Sequence, residues 1–231
     1  MDALLSDDQL HQYDEEGYLI LRGLLPREEI ARILDRVDGM LEGRYDGAGC
    51  KVGPASAASD RDPGRLIKFV MPMEFPIRDP VLRASADHPL LKSLVSRLLR
   101  AKDVVLFQQQ ALVKEPGAVN ATPWHQDEHY WRLGDRRGCT AWMPLVPATR
   151  ANGTMHLLPR SHKGRLVPHE SAGGGSIFQK LAEPIDEAKL VPLELEPGDV
   201  SFHDKGLIHG AYSNAGTTRR VAFAQHYAEK R

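Results

Sequence analysis

The sequence predicts a mainly β fold with flanking α-helices, an antiparallel jelly roll, and two observations carry that reading. Six short segments, VVLFQQQALVK, TAWMPLV, TMHLLP, KLVPLEL, DVSFHD and RVAFAQHYA, are rich in β-branched and aromatic residues and bounded by Gly, Pro or Asn, as strands are. Helical periodicity is concentrated before them, so helices do not alternate with strands as a doubly wound α/β fold requires. Strands in that order close into a sandwich or barrel with helices packed on one face. A chain of 231 residues suits one domain over 1–231. Its helical elements should lie in 1–102 and its strands mainly in 103–231.

Each element has a local cause. Residues 6–16, SDDQLHQYDEE, read as a helix with Ser6 as N-cap and acidic residues at its positive end. GYLILRGLL reads as a short strand. PREEIARILDRVDGMLEG follows as an amphipathic helix, with proline at its start and Ile30, Ile33, Leu34, Val37 and Leu41 on its core face. Residues 46–64 are rich in Gly, Ala, Ser, Asp and Pro without periodicity and read as a long loop. HPLLKSLVSRLLR is a third helix. A second long insertion, 163–189, contains GGG at 173–175. Both insertions are expected to frame the substrate, as loops on a rigid scaffold carry binding function.

Composition excludes several partners. The formal charge is −1 and the pI near 6.8, so no nucleic acid is expected. The acidic start MDALLSDDQL lacks the features of a secretory leader, and no apolar run is long enough to span a bilayer. A cytoplasmic protein without a membrane partner is expected. Cys50 and Cys139 are too few for a disulfide framework or a thiolate cage and read as reduced thiols.

The chemistry concentrates in PWHQDEHYW, residues 123–131. On an extended strand, His125 and Asp127 point to one face, so an imidazole and a carboxylate can reach one ion. They are two of the three ligands of a 2-His-1-carboxylate site, which holds non-haem Fe(II) and leaves other positions open. The spacing alone is weak, since His-x-Asp is expected by chance about once in such a chain. The stretch EPGDVSFHDKGLIHGAYSN offers His203 or His209 as the second imidazole. His203 on its strand reads as a core histidine. His209 is favoured, because Gly210 lets the backbone come close to a metal centre.

Ferrous oxygenases of this ligand type commonly use 2-oxoglutarate, whose far carboxylate suits an arginine fork. Arg219 and Arg220 open the last strand. Alternation sets Arg220 beside Ala222, Ala224 and His226, and Arg219 beside Val221, Phe223 and Tyr227. The small neighbours of Arg220 leave room for a ligand.

Together LSDDQLHQYDEEGYLILRGLLPREEI, FQQQALVKEPG, TPWHQDEHYW, TAWMPLVPATRANGTMHLLPRSHKG, EPGDVSFHDKGLIHG and SNAGTTRRVAFAQHY resemble the phytanoyl-CoA dioxygenase family of Fe(II)- and 2-oxoglutarate-dependent oxygenases. The resemblance runs over nearly the whole chain. It implies a double-stranded β-helix, the cupin-like form of the jelly roll, with iron held by His125, Asp127 and His209. It further implies that Arg220 binds the far carboxylate of 2-oxoglutarate and that Lys114 and Trp142 contact this cosubstrate. Family members often carry serine or threonine where this chain has Ala211. Related halogenases replace the aspartate by a small residue, so Asp127 implies hydroxylation of an aliphatic C–H of a small molecule, with O2 consumed and 2-oxoglutarate converted to succinate and CO2. Desaturation or epimerisation would use the same residues, and a metal- or ligand-binding jelly roll without turnover is the other class. Trp131 is expected against the cosubstrate and His129 against the substrate. Trp124 and Tyr130 read as packing.

Overall fold

In the computed structural model, which describes residues 5–42, 44, 51–54, 66–72, 79–117, 121–172 and 179–230, helix α1 (Asp7–Glu16) starts at a capping box. The Gln9 amide donates to the Ser6 side chain while the Ser6 amide donates to the Gln9 side chain, which satisfies two donors of the first turn. The helix stops at Gly17, held at φ 81°, a left-handed conformation natural to glycine. A Cβ there would stand 2.7 Å from Leu207 Cδ1.

Strand β1 (Tyr18–Leu21) leads to α2 (Arg27–Leu41), which buries Ile30, Ile33 and Val37. Strand β2 (Lys51–Pro54) pairs with β3 (Leu66–Pro72). The stretch read as a loop over 46–64 therefore contains a strand, and the rest of it lies outside the described residues. The predicted third helix is α4 (Pro89–Leu98), preceded by a shorter α3 (Pro80–Ala86) whose first amides donate to the Asp79 carboxylate.

The remaining elements are β4 (Val104–Lys114), β5 (Thr122–His125), α5 (Asp127–Trp131), β6 (Gly138–Pro144), β7 (Met155–Leu157), β8 (His169–Ser171), β9 (Gln179–Leu181), β10 (Val191–Pro192), β11 (Val200–Asp204), β12 (His209–Ala211) and β13 (Arg220–Glu229). The larger sheet has seven strands in the order β1-β11-β6-β13-β4-β3-β2, and the smaller has four in the order β10-β7-β12-β5. Their pairings are antiparallel. The two sheets face each other as a jelly roll. Strands β8 and β9 make a separate hairpin within the second insertion, whose residues 173–178 lie outside the described residues.

Period-two alternation divides each inner strand between two cores. On β13, Val221, Phe223 and Tyr227 join Ile30, Ile33, Val37, Leu91 and Leu94 in the layer between the larger sheet and the helices. Ala222 and Ala224 face the other way, against Trp142, Met155, Leu157 and Leu193 between the sheets. Burying each large aliphatic or aromatic side chain contributes about 1.5–3 kcal/mol, so these two layers hold the sandwich and its helices together. Cys139 lies in the helix-facing layer as a free thiol; Cys50 lies outside the described residues. Strand β4 has a bulge: His226 pairs with Gln108 and Tyr227 with Leu106, leaving Phe107 unpaired. Among the described residues no helix is long and apolar enough to cross a membrane.

Candidate functional site

His125 closes β5 and His209 opens β12, and the two are directly opposite in the ladder. Asp127 comes from a different kind of element than the spacing predicts. Instead of continuing the strand, the chain passes through an extended Gln126 and begins α5 at Asp127. The turn is held on several sides. The Gln126 side chain donates to Gly206 O at 2.7 Å and accepts from the Val167 amide at 2.8 Å. The Gln126 amide donates to His169 Nε2, and the Glu128 amide to Lys205 O. Asp127 and Glu128 at the amino end also suit the helix dipole.

The donor atoms of His125, Asp127 and His209 all lie within 4.8 Å of one another. Asp127 Oδ1 is 3.8 Å from Nε2 of each imidazole. His125 Nδ1 is 2.8 Å from Pro123 O, and His209 Nδ1 is 2.8 Å from Leu207 O. A carbonyl can only accept, so each Nδ1 carries the proton and each Nε2 lone pair is turned toward Asp127. Two neutral imidazoles and one carboxylate fit a divalent first-row ion such as Fe(II). Burial alone would raise the Asp127 carboxyl, yet the imidazoles of His209, His203 and His226 hold it well below the usual carboxylate range.

His203 is buried, as a core histidine would be, but it faces this site. Its Nε2 is 3.7 Å from Asp127 Oδ2, too long for a hydrogen bond, and among the described residues neither ring nitrogen has a hydrogen-bond partner. Burial lowers it to about 4 against the attraction of Asp127, so the ring is neutral near pH 7.

Arg220 opens β13 and is 3% exposed. Its Nε donates to Gly153 O and its Nη1 to Leu112 O, both at 3.2 Å. Burial lowers it to about 10, which leaves it cationic. Among the described residues it makes no ion pair. Arg219 points the opposite way and forms a two-pronged pair with Asp38 on α2, at 2.7 Å on each side. Lys114 is opposite Arg220 in the ladder. Its fully buried Nζ donates to the carbonyls of Tyr212 and Ala211.

A cavity of about 520 Å³ joins these groups. Its wall includes the triad, His203, Arg220, Trp142, Trp131 and Ala211, and not Lys114 or His129. His129 is turned aside because 127, 130 and 131 share one helical face, which leaves 128 and 129 off it. It stacks on His169 with ring centroids 4.0 Å apart and bonds to Gln179, tying α5 to the β8–β9 hairpin. Tyr130, read as packing, lines the cavity, while Trp124 packs against Tyr212 and His156. Thr140, His226, Phe107, Gln108 and Gln110 also line it, and the sequence reading gave them no role. His226 shares the face of Arg220 by alternation, a signal already in the sequence. The bulge that brings Phe107 and Gln108 in together left none.

The phytanoyl-CoA dioxygenase family model matches residues 13–222. A probable phytanoyl-CoA dioxygenase of Caenorhabditis elegans is 28% identical over 98% of this chain and 76% of its own length. The crystal structure of EvdO2 from Micromonospora carbonacea var. aurantiaca complexed with 2-oxoglutarate superposes with a TM-score of 0.75 at 22% identity, covering 98% of this chain and 91% of that one. The epimerase SnoN in complex with Fe3+, alpha ketoglutarate and nogalamycin RO gives 0.73 at 21% identity, over 96% and 83%. With the family model matched along most of its length, from the first helix to the strand that carries Arg220, the chain belongs to the phytanoyl-CoA dioxygenase family.

Proposed function

We propose that the protein is a non-haem Fe(II)- and 2-oxoglutarate-dependent oxygenase that hydroxylates an aliphatic C–H of a small molecule. The observation that carries this is the convergence of two Nε2 atoms and one carboxylate oxygen, with both Nδ1 protons committed to carbonyls. His125, Asp127 and His209 would hold iron, which when bound supplies oxidation by O2 coupled to conversion of 2-oxoglutarate to succinate and CO2.

Arg220 binds the far carboxylate. A buried guanidinium with no anionic partner among the described residues is costly, and a dicarboxylate supplies the missing charge. Lys114 acts on the cosubstrate from behind the wall by fixing the carbonyls of Ala211 and Tyr212. Trp142 and Trp131 shape the wall and exclude water. Asp127 occupies the ligand position that a halogenase leaves to chloride, which favours hydroxylation.

Among the described residues, apart from Asp127, Arg220 and the histidines, the wall carries no titrating group other than Tyr130. Phe107, Tyr130 and Trp131 give it aromatic surface, and Gln108 and Gln110 give it neutral hydrogen-bonding groups. The part of the substrate that meets these described residues is therefore uncharged and partly apolar.

Anaerobic titration with Fe(II) and 2-oxoglutarate tests the reading. The wild-type protein should develop the weak visible band of the iron–cosubstrate chelate, and Asp127→Ala should abolish it together with succinate release. Arg220→Ala should raise the 2-oxoglutarate concentration needed by at least about tenfold, the cost of one charge-assisted hydrogen bond. Iron binding without such a band would overturn the cosubstrate assignment.

A further inference from the structure

The two oxygens of Asp127 have different neighbours. Oδ1 faces His125 and His209. Oδ2 is 2.8 Å from Thr140 Oγ1, which is itself 2.8 Å from His226 Nδ1. Threonine has one hydroxyl proton, and an ionised carboxylate only accepts. The threonine therefore donates that proton to Oδ2, and its oxygen is left to accept from the His226 Nδ1–H. The donation runs one way, from His226 to Thr140 to Asp127.

The larger sheet builds this chain of bonds as a row. His203 on β11 pairs with Thr140 on β6, Thr140 with His226 on β13, and His226 with Gln108 on β4. Paired residues in adjacent strands project to the same face, and all four line the cavity. Thr140 is 2% exposed and His226 5%. Edge-on contact with Trp131, centroids 5.0 Å apart, further fixes the His226 ring. A β-branched threonine clamped between a carboxylate and an imidazole has little freedom to reorient.

We infer that Thr140 and His226 are positioning residues that tie up Oδ2, so that Asp127 holds the metal ion through Oδ1 alone; this rests on the metal-site reading above. A carboxylate with both oxygens free can swing to grip an ion with both. That would consume a coordination position needed for cosubstrate or oxygen.

The test uses Co(II) as the probe under anaerobic conditions, with affinity and the visible d–d spectrum as readouts that need no turnover. Thr140→Val, which keeps the shape and removes the hydroxyl, should weaken Co(II) binding by about 10–100-fold, the usual cost of losing a group that orients a ligand, and lower the d–d intensity as the carboxylate turns two-handed. Thr140→Ser should recover both. Failure of the wild-type protein to bind Co(II) overturns the metal-site reading and this inference with it. Wild-type binding with unchanged affinity and spectrum in Thr140→Val overturns the inference alone. Should Thr140→Val fail to fold, His226→Leu removes the donor one step further out and should weaken binding by at least about threefold; unchanged binding there is equally fatal.

Discussion

Among the described residues Lys114 stands beside Arg220 without an anion, and burial, followed by the neighbouring guanidinium, lowers its ammonium to about 6. In the unfolded chain a lysine titrates near about 10.4. Between those values the unfolded state binds more protons than the native state, so the stability of the cosubstrate-free protein should rise with pH, by up to about 1.4 kcal/mol per pH unit. Lys114→Met should flatten the rise, which urea unfolding at pH 6.5, 8 and 9.5 would reveal. An unchanged slope would mean that the carbonyls of Ala211 and Tyr212 keep the ammonium charged. The pair of arginines next to it was separable in the sequence, because a strand sends neighbours to opposite faces: Arg219 reaches Asp38 in the helical layer and Arg220 lines the cavity. The buried lysine's bonds to the carbonyls of Ala211 and Tyr212, at the end of β12 and just past it, were not, since they depend on how two strands of different sheets meet.

The ligand-bearing strands β5 and β12 approach so closely that Gly210 has no room for a side chain. A Cβ would stand 2.9 Å from Thr122 O and collide with the Trp124 ring. Gly210→Ala should therefore cost about 1–3 kcal/mol of stability and misalign His209 with His125, read as a lower Tm together with weakened Co(II) binding. Unchanged values would show that Trp124 swings aside without consequence. Gly210 was legible as a close approach, although the partner proved to be an indole and a strand. Helix α5 was not legible, because five residues are too few to display a 3.6-residue period. The strand reading brought His125 and Asp127 together through i and i+2 geometry, whereas the molecule does it with a tight strand-to-helix turn locked by Gln126. Strand β2 escaped notice for a related reason: four residues set in a Gly- and Pro-rich context carry no alternation.

Across the whole molecule, the legible part is the layering. Most of the helices precede most of the strands in the sequence, with β1, β2 and β3 set among them, and the alternation of β4 and β13 separates a helix-facing layer from an inter-sheet one. The cavity wall was less legible because it is assembled from both sheets and α5, with a bulge in β4 that only strand pairing reveals. That assembly has a mechanical side. His125 and His209 belong to the smaller sheet, while the threonine and histidine that brace Asp127 belong to the larger one. An ion gripped by all three ligands is then a rivet between the two halves of the sandwich. Binding energy that acts only on the native state adds to its stability, by about 2.7 kcal/mol at a hundredfold excess over Kd. Chelator should lower the Tm of the metal-loaded protein and leave that of Asp127→Ala unmoved, and an equal response in both would remove the rivet. Loss of iron would thus loosen the seam between the sheets as well as stop the chemistry, and the metal-starved protein should be the form most open to proteases.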